Sequence, residues 1–251
     1  MFLSFLFVSA KIIRKKPLDT RRRFLAGIMI FTFITFFIYK YFLSIDEEYS
    51  IICAENGIGE FSWWKELPLQ LCNINLILIP VAMATMNRSI LNFNLFTGTL
   101  GALMALIMPS IGFSDCSILL PRMSGYYFTH FMVFTGALAI VAYGIHTPQY
   151  KELPKTALML LGIAFVIFLI DTVIRKAGFN DLANYFYTYG SDGNAILDIF
   201  YSIIPIPYLY EVPCLLILAP YMLLVTFLCN LGKKKKEICD IKDLKGGHIG
   251  G

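Results

Sequence analysis

The chain has 251 residues, of which 57% are hydrophobic and only 15% are charged. Soluble domains carry about a quarter charged residues, so this composition argues against a water-soluble fold. The abundance of Phe and Tyr argues equally against a disordered chain.

The apolar residues gather into six stretches, each close to the roughly 20 residues that a helix needs to cross a bilayer. In chain order these stretches cover 24–44, 67–85, 94–112, 126–147, 156–175 and 209–231. Alternating segments of about ten residues, which are typical of membrane barrels, do not occur in the sequence. The pattern therefore predicts an all-α, polytopic membrane protein with a bundle of six transmembrane helices over residues 24–231.

Basic residues cluster in the segments that flank this bundle, 1–23 and 232–251. By the positive-inside rule both termini are cytoplasmic, which an even number of spans permits. The acidic loop after the first span is then outside. We expect an integral protein of a bacterial plasma membrane, with a basic N-terminal segment and a basic, flexible tail. The apolar start, Met1–Ala10, is too short to span and is expected either to lie at the interface or to be disordered. The basic residues that set the orientation in the membrane account for the net charge of +4, and nothing indicates nucleic-acid binding.

The longest connection, about 176–208, is rich in aromatic residues and turn formers. Tyrosines favour the membrane interface, so this segment predicts an outer cap between helices five and six, lying on the membrane surface or partly re-entrant.

Cysteine and histidine spacing gives no metal site, because CxxC and HExxH patterns are absent and only three histidines occur. We expect no metal and no cofactor. Cys53 and Cys116 share the outer loops, and the sequence leaves open whether they form a disulfide.

The second predicted span is unusually polar, since it holds Gln70, Cys72, Asn73 and Asn75 within six residues. Polar side chains in a membrane are costly and often functional. For Asn75 alone, an amide that joins two helices is an equally ordinary interpretation.

Thr129 and His130 begin the fourth predicted span, and His130 is the only histidine in the apolar interior. Counting about 1.5 Å per residue from the outer boundary puts Cys72 about 8 Å deep and His130 about 6 Å deep. An imidazole at the same depth as a thiol can take its proton and make it a nucleophile. Gln70 and Asn73 are candidate donors to the oxyanion.

Other polar residues are expected at the same outer level, namely Asp171, Glu211, Asn184 and Tyr185. Either carboxylate could orient the imidazole of His130, and the sequence does not say which. Asp171 could instead form a helical ion pair with Arg175, four residues later.

Three short runs resemble the YwaF and transmembrane protein 164 family of integral membrane proteins: Leu-Pro-Leu-Gln-Leu-Cys-Asn-Ile over 67–74, His130-Phe131, and Asn184-Tyr185. The resemblance covers about 24–231. It implies a cysteine-dependent acyltransferase that moves a fatty acyl chain from a phospholipid to a lysophospholipid through a thioester. Carried over, Cys72 accepts the acyl chain and His130 is the general base and acid. The segment after Tyr185 lacks the proline expected in that region, so the cap could hold a different substrate.

Two other functions remain compatible with the sequence. Water could resolve the thioester, which would make the protein a lipid hydrolase. Alternatively, the chain is a transporter subunit or a binding protein for a small polar molecule, with Gln70, Asn73, Asn75 and His130 as ligands beneath the cap. A scaffold without chemistry explains the clustered polar residues least well.

Overall fold

The computed structural model describes residues 2–55, 61–107 and 119–246, and within these ranges the fold is entirely helical. The α-helices there are α1 (Phe2–Ile13), α2 (Leu18–Ser44), α3 (Glu47–Glu55), α4 (Leu71–Thr85), α5 (Arg88–Ile107), α6 (Pro121–Ala142), α7 (Leu153–Lys176), α8 (Ala195–Ile203) and α9 (Leu215–Gly246). Short 3₁₀ turns cover Tyr150–Glu152, Tyr185–Tyr187 and Leu209–Cys214. The predicted all-α class is confirmed.

Five helical segments of the described chain are long and apolar enough to cross a membrane. They are Leu18–Ser44, Arg88–Ile107, Arg122–Ala142, Tyr150–Lys176 and Leu209–Leu231. Their surfaces carry many exposed large apolar side chains, as helices in contact with lipid do. The chain is therefore a multi-pass, integral membrane protein.

The second predicted span differs from the other five. Its helix, α4, begins only at Leu71 and has 15 residues, which correspond to about 22 Å. Gln70 has an extended backbone, and Pro68 in the preceding segment disfavours the helical conformation of Leu67. The apolar run of the sequence therefore begins before the helix does, and α4 is shorter than a typical membrane span.

Small residues let the helices approach one another closely. A Cβ atom added at Gly98 on α5 would lie 2.8 Å from the Cβ of Ala137 and 3.1 Å from the Oδ1 of Asn75. A Cβ at Gly136 on α6 would lie 2.4 Å from the sulfur of Met29 on α2. Close packing of this kind drives helix association in lipid, and it places α4, α5 and α6 against each other with α2 alongside.

Basic side chains tie three helices together at one end of the bundle. Arg22 on α2 donates to the carbonyls of Met83 (2.6 Å) and Ala84 (3.1 Å) in the last turn of α4, and Arg21 donates to the carbonyl of Tyr143 after α6 (3.1 Å). Asn230 on α9 donates to Pro148 before α7 at the same end. This Arg22 end therefore holds both the start of α2 and the later part of α9. The opposite end, where α4 begins, is called the Cys72 end.

The two terminal segments are more regular than the sequence predicts. The apolar start forms α1, whose Ser9 hydroxyl lies 2.9 Å from the hydroxyl of Tyr143. The expected flexible tail continues α9 as a helix to Gly246, since residues 233–245 contain neither Gly nor Pro. The question whether Cys53 pairs with Cys116 falls outside the described residues, because Cys116 is not among them.

Candidate functional site

Cys72 lies in the first turn of α4, where it is 8% exposed. The preceding Gln70 is the N-cap residue, but its side chain does not cap the helix. The first helical bond runs from the N–H of Ile74 to the carbonyl of Gln70 (2.9 Å). Because the first N–H groups of a helix have no helical acceptor, those of residues 71–73 remain as donors beside the thiol.

The Gln70 side chain joins α4 to the long connection between α7 and α9. Its Oε1 accepts a hydrogen bond of 2.9 Å from the backbone N–H of Phe186. The sequence predicted Gln70 as an oxyanion donor, yet its carbonyl oxygen is used as an acceptor for the connection. Gln70 therefore holds the segment around Phe186 next to the start of α4.

Residues 186 and 187 adopt an uncommon backbone conformation. Phe186 has φ 62° and Tyr187 has φ 65°, in the left-handed region that side chains other than glycine rarely adopt. Two successive residues of this kind persist only where the surrounding contacts fix them, and they concentrate at functional sites. Here the fixing contacts include the Tyr210 hydroxyl, which donates to the carbonyl of Tyr187.

Asp171 on α7 is completely buried and anchors the same segment. Its Oδ2 accepts a hydrogen bond of 2.6 Å from the hydroxyl of Thr188, and the carbonyl of Thr188 accepts one from the N–H of Tyr208 (2.6 Å). The ion pair expected between Asp171 and Arg175 does not form. Arg175 instead donates to the carbonyl of Ala183 (2.6 Å), because the connection folds back over the end of α7.

His130 on α6 is paired with its own helix. Its Nδ1 lies 2.8 Å from the carbonyl of Tyr126, and its ring packs on the Tyr126 ring at 4.2 Å between centroids. A carbonyl only accepts hydrogen bonds, so Nδ1 of the neutral ring carries the proton and Nε2 carries the lone pair. Within the described chain, His130 donates no hydrogen bond to a carboxylate. Asp171 binds Thr188, and Glu211 lies buried in the 3₁₀ turn before α9.

Cys72 and Tyr126, whose ring packs on that of His130, contact neighbouring turns of α5. A Cβ added at Gly101 would lie 3.8 Å from the Cys72 sulfur, while the Tyr126 hydroxyl donates to the carbonyl of Ala105 (2.9 Å). Gly101 and Ala105 are one turn apart, about 6 Å along the helix. No hydrogen bond joins the thiol to the imidazole in the described part of the chain.

The amides predicted for the site have different surroundings. Asn75 is fully buried, and its Nδ2 donates to the carbonyl of Leu71 (2.7 Å) and to the hydroxyl of Thr97 on α5 (3.2 Å). This contact joins two helices, which agrees with the structural interpretation of Asn75. Asn73 on the next face of α4 is half-buried, and Thr129 on α6 is buried beside His130.

A cavity of about 200 Å³ lies at the Cys72 end, beside the site. Three predicted site residues line it: Gln70, Asn184 and Tyr185. The remaining lining residues are Tyr49, Cys53, Phe61, Lys65, Glu66, Asn180, Leu182 and Asp192. Asn184 also shapes its wall, since its Oδ1 accepts from the N–H of Tyr189 (2.7 Å) and its Nδ2 donates to Gly190 (2.7 Å).

The sequence did not single out several residues that shape the site. Lys40 on α2 is buried and forms an ion pair with Glu66 at the cavity wall. Tyr187, Thr188 and Tyr210 were also not predicted, and only the dense run of aromatic residues after Asn184 marked their region. Among the described residues, no group of three or more His, Cys, Asp or Glu side chains could hold a metal ion.

The TMEM164 family model matches residues 1–229, which is most of the chain. The chain therefore belongs to the TMEM164 family, as the short runs around Cys72, His130 and Asn184 suggested. No curated protein and no solved structure matches it.

Proposed function

We propose that this member of the TMEM164 family is a lipid acyltransferase that carries the acyl chain on Cys72. The observation that supports this best is the placement of Cys72. The thiol lies at a helix start with free N–H donors, next to a backbone segment held in a left-handed conformation by contacts from three elements. A structural cysteine needs only a space of its own size, whereas a nucleophile that attacks an ester also needs donors for the oxyanion.

The reaction has two balanced steps. In the first, His130 takes the proton of the Cys72 thiol, and the sulfur attacks an ester carbonyl of a phospholipid. A C–S bond forms, the ester C–O bond breaks, and the lysophospholipid leaves with the proton that His130 returns. In the second, a lysophospholipid hydroxyl gives its proton to His130 and attacks the thioester. The new ester C–O bond forms, the C–S bond breaks, and the proton returns to the sulfur.

His130 suits this role because its lone pair is on Nε2, the nitrogen that does not bind its own helix. Tyr126, which packs on the His130 ring, contacts α5 one helical turn from Gly101, the residue beside the thiol, and no hydrogen bond joins the thiol to the imidazole within the described chain. Catalytic hydrogen bonds are often long before substrate binds. The proton then passes when a substrate hydroxyl or a water molecule occupies the space beside Tyr126.

The proposed membrane arrangement has six passes, with α4 as the short one, and both termini cytoplasmic. The position of the α2 start and the later part of α9 at one end of the bundle supports an even number of passes. The basic residues around Arg22 support the cytoplasmic assignment of that end. The Cys72 end is then outside, at the depth of the lipid esters, with the connection after α7 as its cap.

Acyl labelling tests the proposed function. Purified protein is incubated with phospholipid labelled in the acyl chain, and we expect a label on Cys72 that hydroxylamine removes. Cys72→Ser and Cys72→Ala should abolish the label, whereas Cys214→Ser, a control at the same end of the bundle, should retain it. A wild-type chain that stays unlabelled across several lipid classes would contradict the thioester mechanism. Adding lysophospholipid or water alone separates acyl transfer from hydrolysis.

The cavity favours one second candidate, a binding protein or transporter subunit for a small polar molecule. Its volume suits a small ligand, and Gln70, Asn184 and Asp192 offer polar contacts. In that case Asn184→Ala or Asn73→Ala should weaken ligand binding, while Cys72→Ala should leave the affinity unchanged. If the chain is an acyltransferase, Cys72→Ala should reduce acyl labelling more than Asn184→Ala or Asn73→Ala does.

A further inference from the structure

We propose, resting on the acyl transfer above, that Tyr187 is a further catalytic residue of the site. Its hydroxyl donates a hydrogen bond to the negative charge that forms at Cys72. That charge lies first on the sulfur and then on the carbonyl oxygen of the acyl group under attack. Tyr187 thereby adds a side-chain donor to the backbone donors of the α4 start.

The backbone contacts hold Tyr187 beside the start of α4, the helix that carries the thiol in its first turn. Phe186 is bonded through its N–H to Gln70, two residues before Cys72, so the residue next to Tyr187 is attached to the start of α4. On its other side, Thr188 is attached to α7 through Asp171. With the Tyr210 hydroxyl on its own carbonyl, Tyr187 is fixed from α4, from α7 and from the turn before α9.

The side chain of Tyr187 is also suited to donate. Burial raises its pKa above the ordinary value, and the nearby Asp192 and Cys72 raise it further. The phenol thus keeps its proton at neutral pH.

The neighbouring Tyr189 differs from Tyr187 in one decisive respect. Its hydroxyl lies 2.6 Å from the hydroxyl of Thr172, and the Arg175 guanidinium packs over its ring at 4.2 Å. The Tyr187 hydroxyl makes no hydrogen bond to any described residue, so it is free for a group that arrives at Cys72. Tyr189 is therefore a matched control in the same segment.

Two measurements on the full-length chain test the role of Tyr187. The first is the rate of acyl labelling from phospholipid, where Tyr187→Phe should lower the rate by about 100-fold, as the loss of one oxyanion donor does. The second is the rate at which a small maleimide alkylates Cys72, read at that residue by mass spectrometry. There the loss of a hydrogen bond to the charged sulfur should slow the reaction about tenfold. Tyr189→Phe should change neither rate by more than about twofold, since its phenol is already paired with the hydroxyl of Thr172.

The two rates separate the possible failures. If the wild type is labelled and Tyr187→Phe is labelled equally fast, the role of Tyr187 is wrong and the acyltransferase stands. If the wild type is never labelled, the acyltransferase is wrong, and the alkylation rate alone decides whether Tyr187 donates to Cys72. Unfolding temperatures identify a variant that fails to fold. Tyr187→Met, which also removes the hydroxyl, is then the replacement.

Discussion

The hydroxyl of Thr188 donates a 2.6 Å hydrogen bond to the carboxylate of Asp171, and neither side chain is exposed. The two residues are 17 positions apart, one on α7 and one in the connection that follows it. Their contact closes that connection over the Cys72 end. A buried bond between a carboxylate and a hydroxyl should therefore contribute to stability as well as to the shape of the site.

A double-mutant cycle measures this bond. Asp171→Asn, Thr188→Val and the double variant should give a coupling energy of about 1.5–3 kcal/mol in the free energy of unfolding, the range for hydrogen bonds to charged groups. The control is the pair Ser191 and Asp198, whose bond of 2.5 Å is exposed. Its coupling should stay below about 1 kcal/mol. Equal coupling in the two pairs would show that burial gives the Asp171 bond no special strength.

Gly98 should not tolerate even a methyl group. In Gly98→Ala the new Cβ would lie 2.8 Å from the Cβ of Ala137 on α6. Because a Cβ is fixed to its helix backbone, α5 and α6 must separate. We expect a loss of about 1–3 kcal/mol, measured as a lower unfolding temperature in detergent. Gly162→Ala on α7, where no atom lies within 4 Å, should be neutral or stabilising by up to about 1 kcal/mol. A Gly98→Ala chain as stable as the wild type would contradict the close packing of α5 on α6.

Arg22 and Arg23 have equal charge but different contacts. Arg22→Ala removes two hydrogen bonds to the last turn of α4, and we expect a loss of about 1.5–3 kcal/mol in unfolding free energy. The Arg23 side chain is 83% exposed and pairs with Asp19, which is itself exposed, so Arg23→Ala should cost less than about 0.5 kcal/mol. Both changes remove one positive charge, so any effect on the orientation of the protein in the membrane should be the same in the two variants. If the two variants have the same free energy of unfolding, the carbonyl contacts of Arg22 contribute nothing to stability.

His146, between α6 and α7, should make stability depend on pH. Burial and, to a smaller degree, the positive charge of Arg88 lower its pKa to about 4, although Glu152 opposes the shift. In the unfolded chain the pKa is about 6.5, so between pH 6.5 and 4 the unfolded state binds the proton and the folded state does not. Stability is therefore complete above about pH 6.5 and falls as the pH drops toward 4.

The variant His146→Gln isolates this effect, because Gln can still donate to the Oδ1 of Asn92, which now lies 2.7 Å from Nε2 of His146. The measurement is the unfolding temperature at pH 7.5 and at pH 5 for both chains. We expect the wild type to lose more stability than His146→Gln between these two values. An identical loss in both chains would assign the acid sensitivity to other groups.

The sequence was sufficient for the parts of the fold that depend on local pattern. Apolar runs of about 20 residues predicted five of the helical spans, whereas the second run was predicted to begin at residue 67 and its helix, α4, begins at Leu71. Contacts between distant segments were beyond such patterns. Nothing in the spacing of Asp171 and Thr188 indicates that they meet, and an i,i+4 rule pointed to Arg175 instead. The left-handed residues 186 and 187 are likewise set by tertiary contacts, since neither residue type favours that conformation.

In the proposed six-pass arrangement, the short length of α4 has a consequence for the surrounding bilayer. Its 15 residues cover about 22 Å, so beside it the apolar column falls about 8 Å short of a typical hydrocarbon layer of about 30 Å. Lipids meet such a mismatch by thinning, which draws their head groups and ester bonds toward the middle of the layer. The distance between an ester bond and Cys72 therefore depends on the thickness of the host membrane, and longer acyl chains in that membrane increase it.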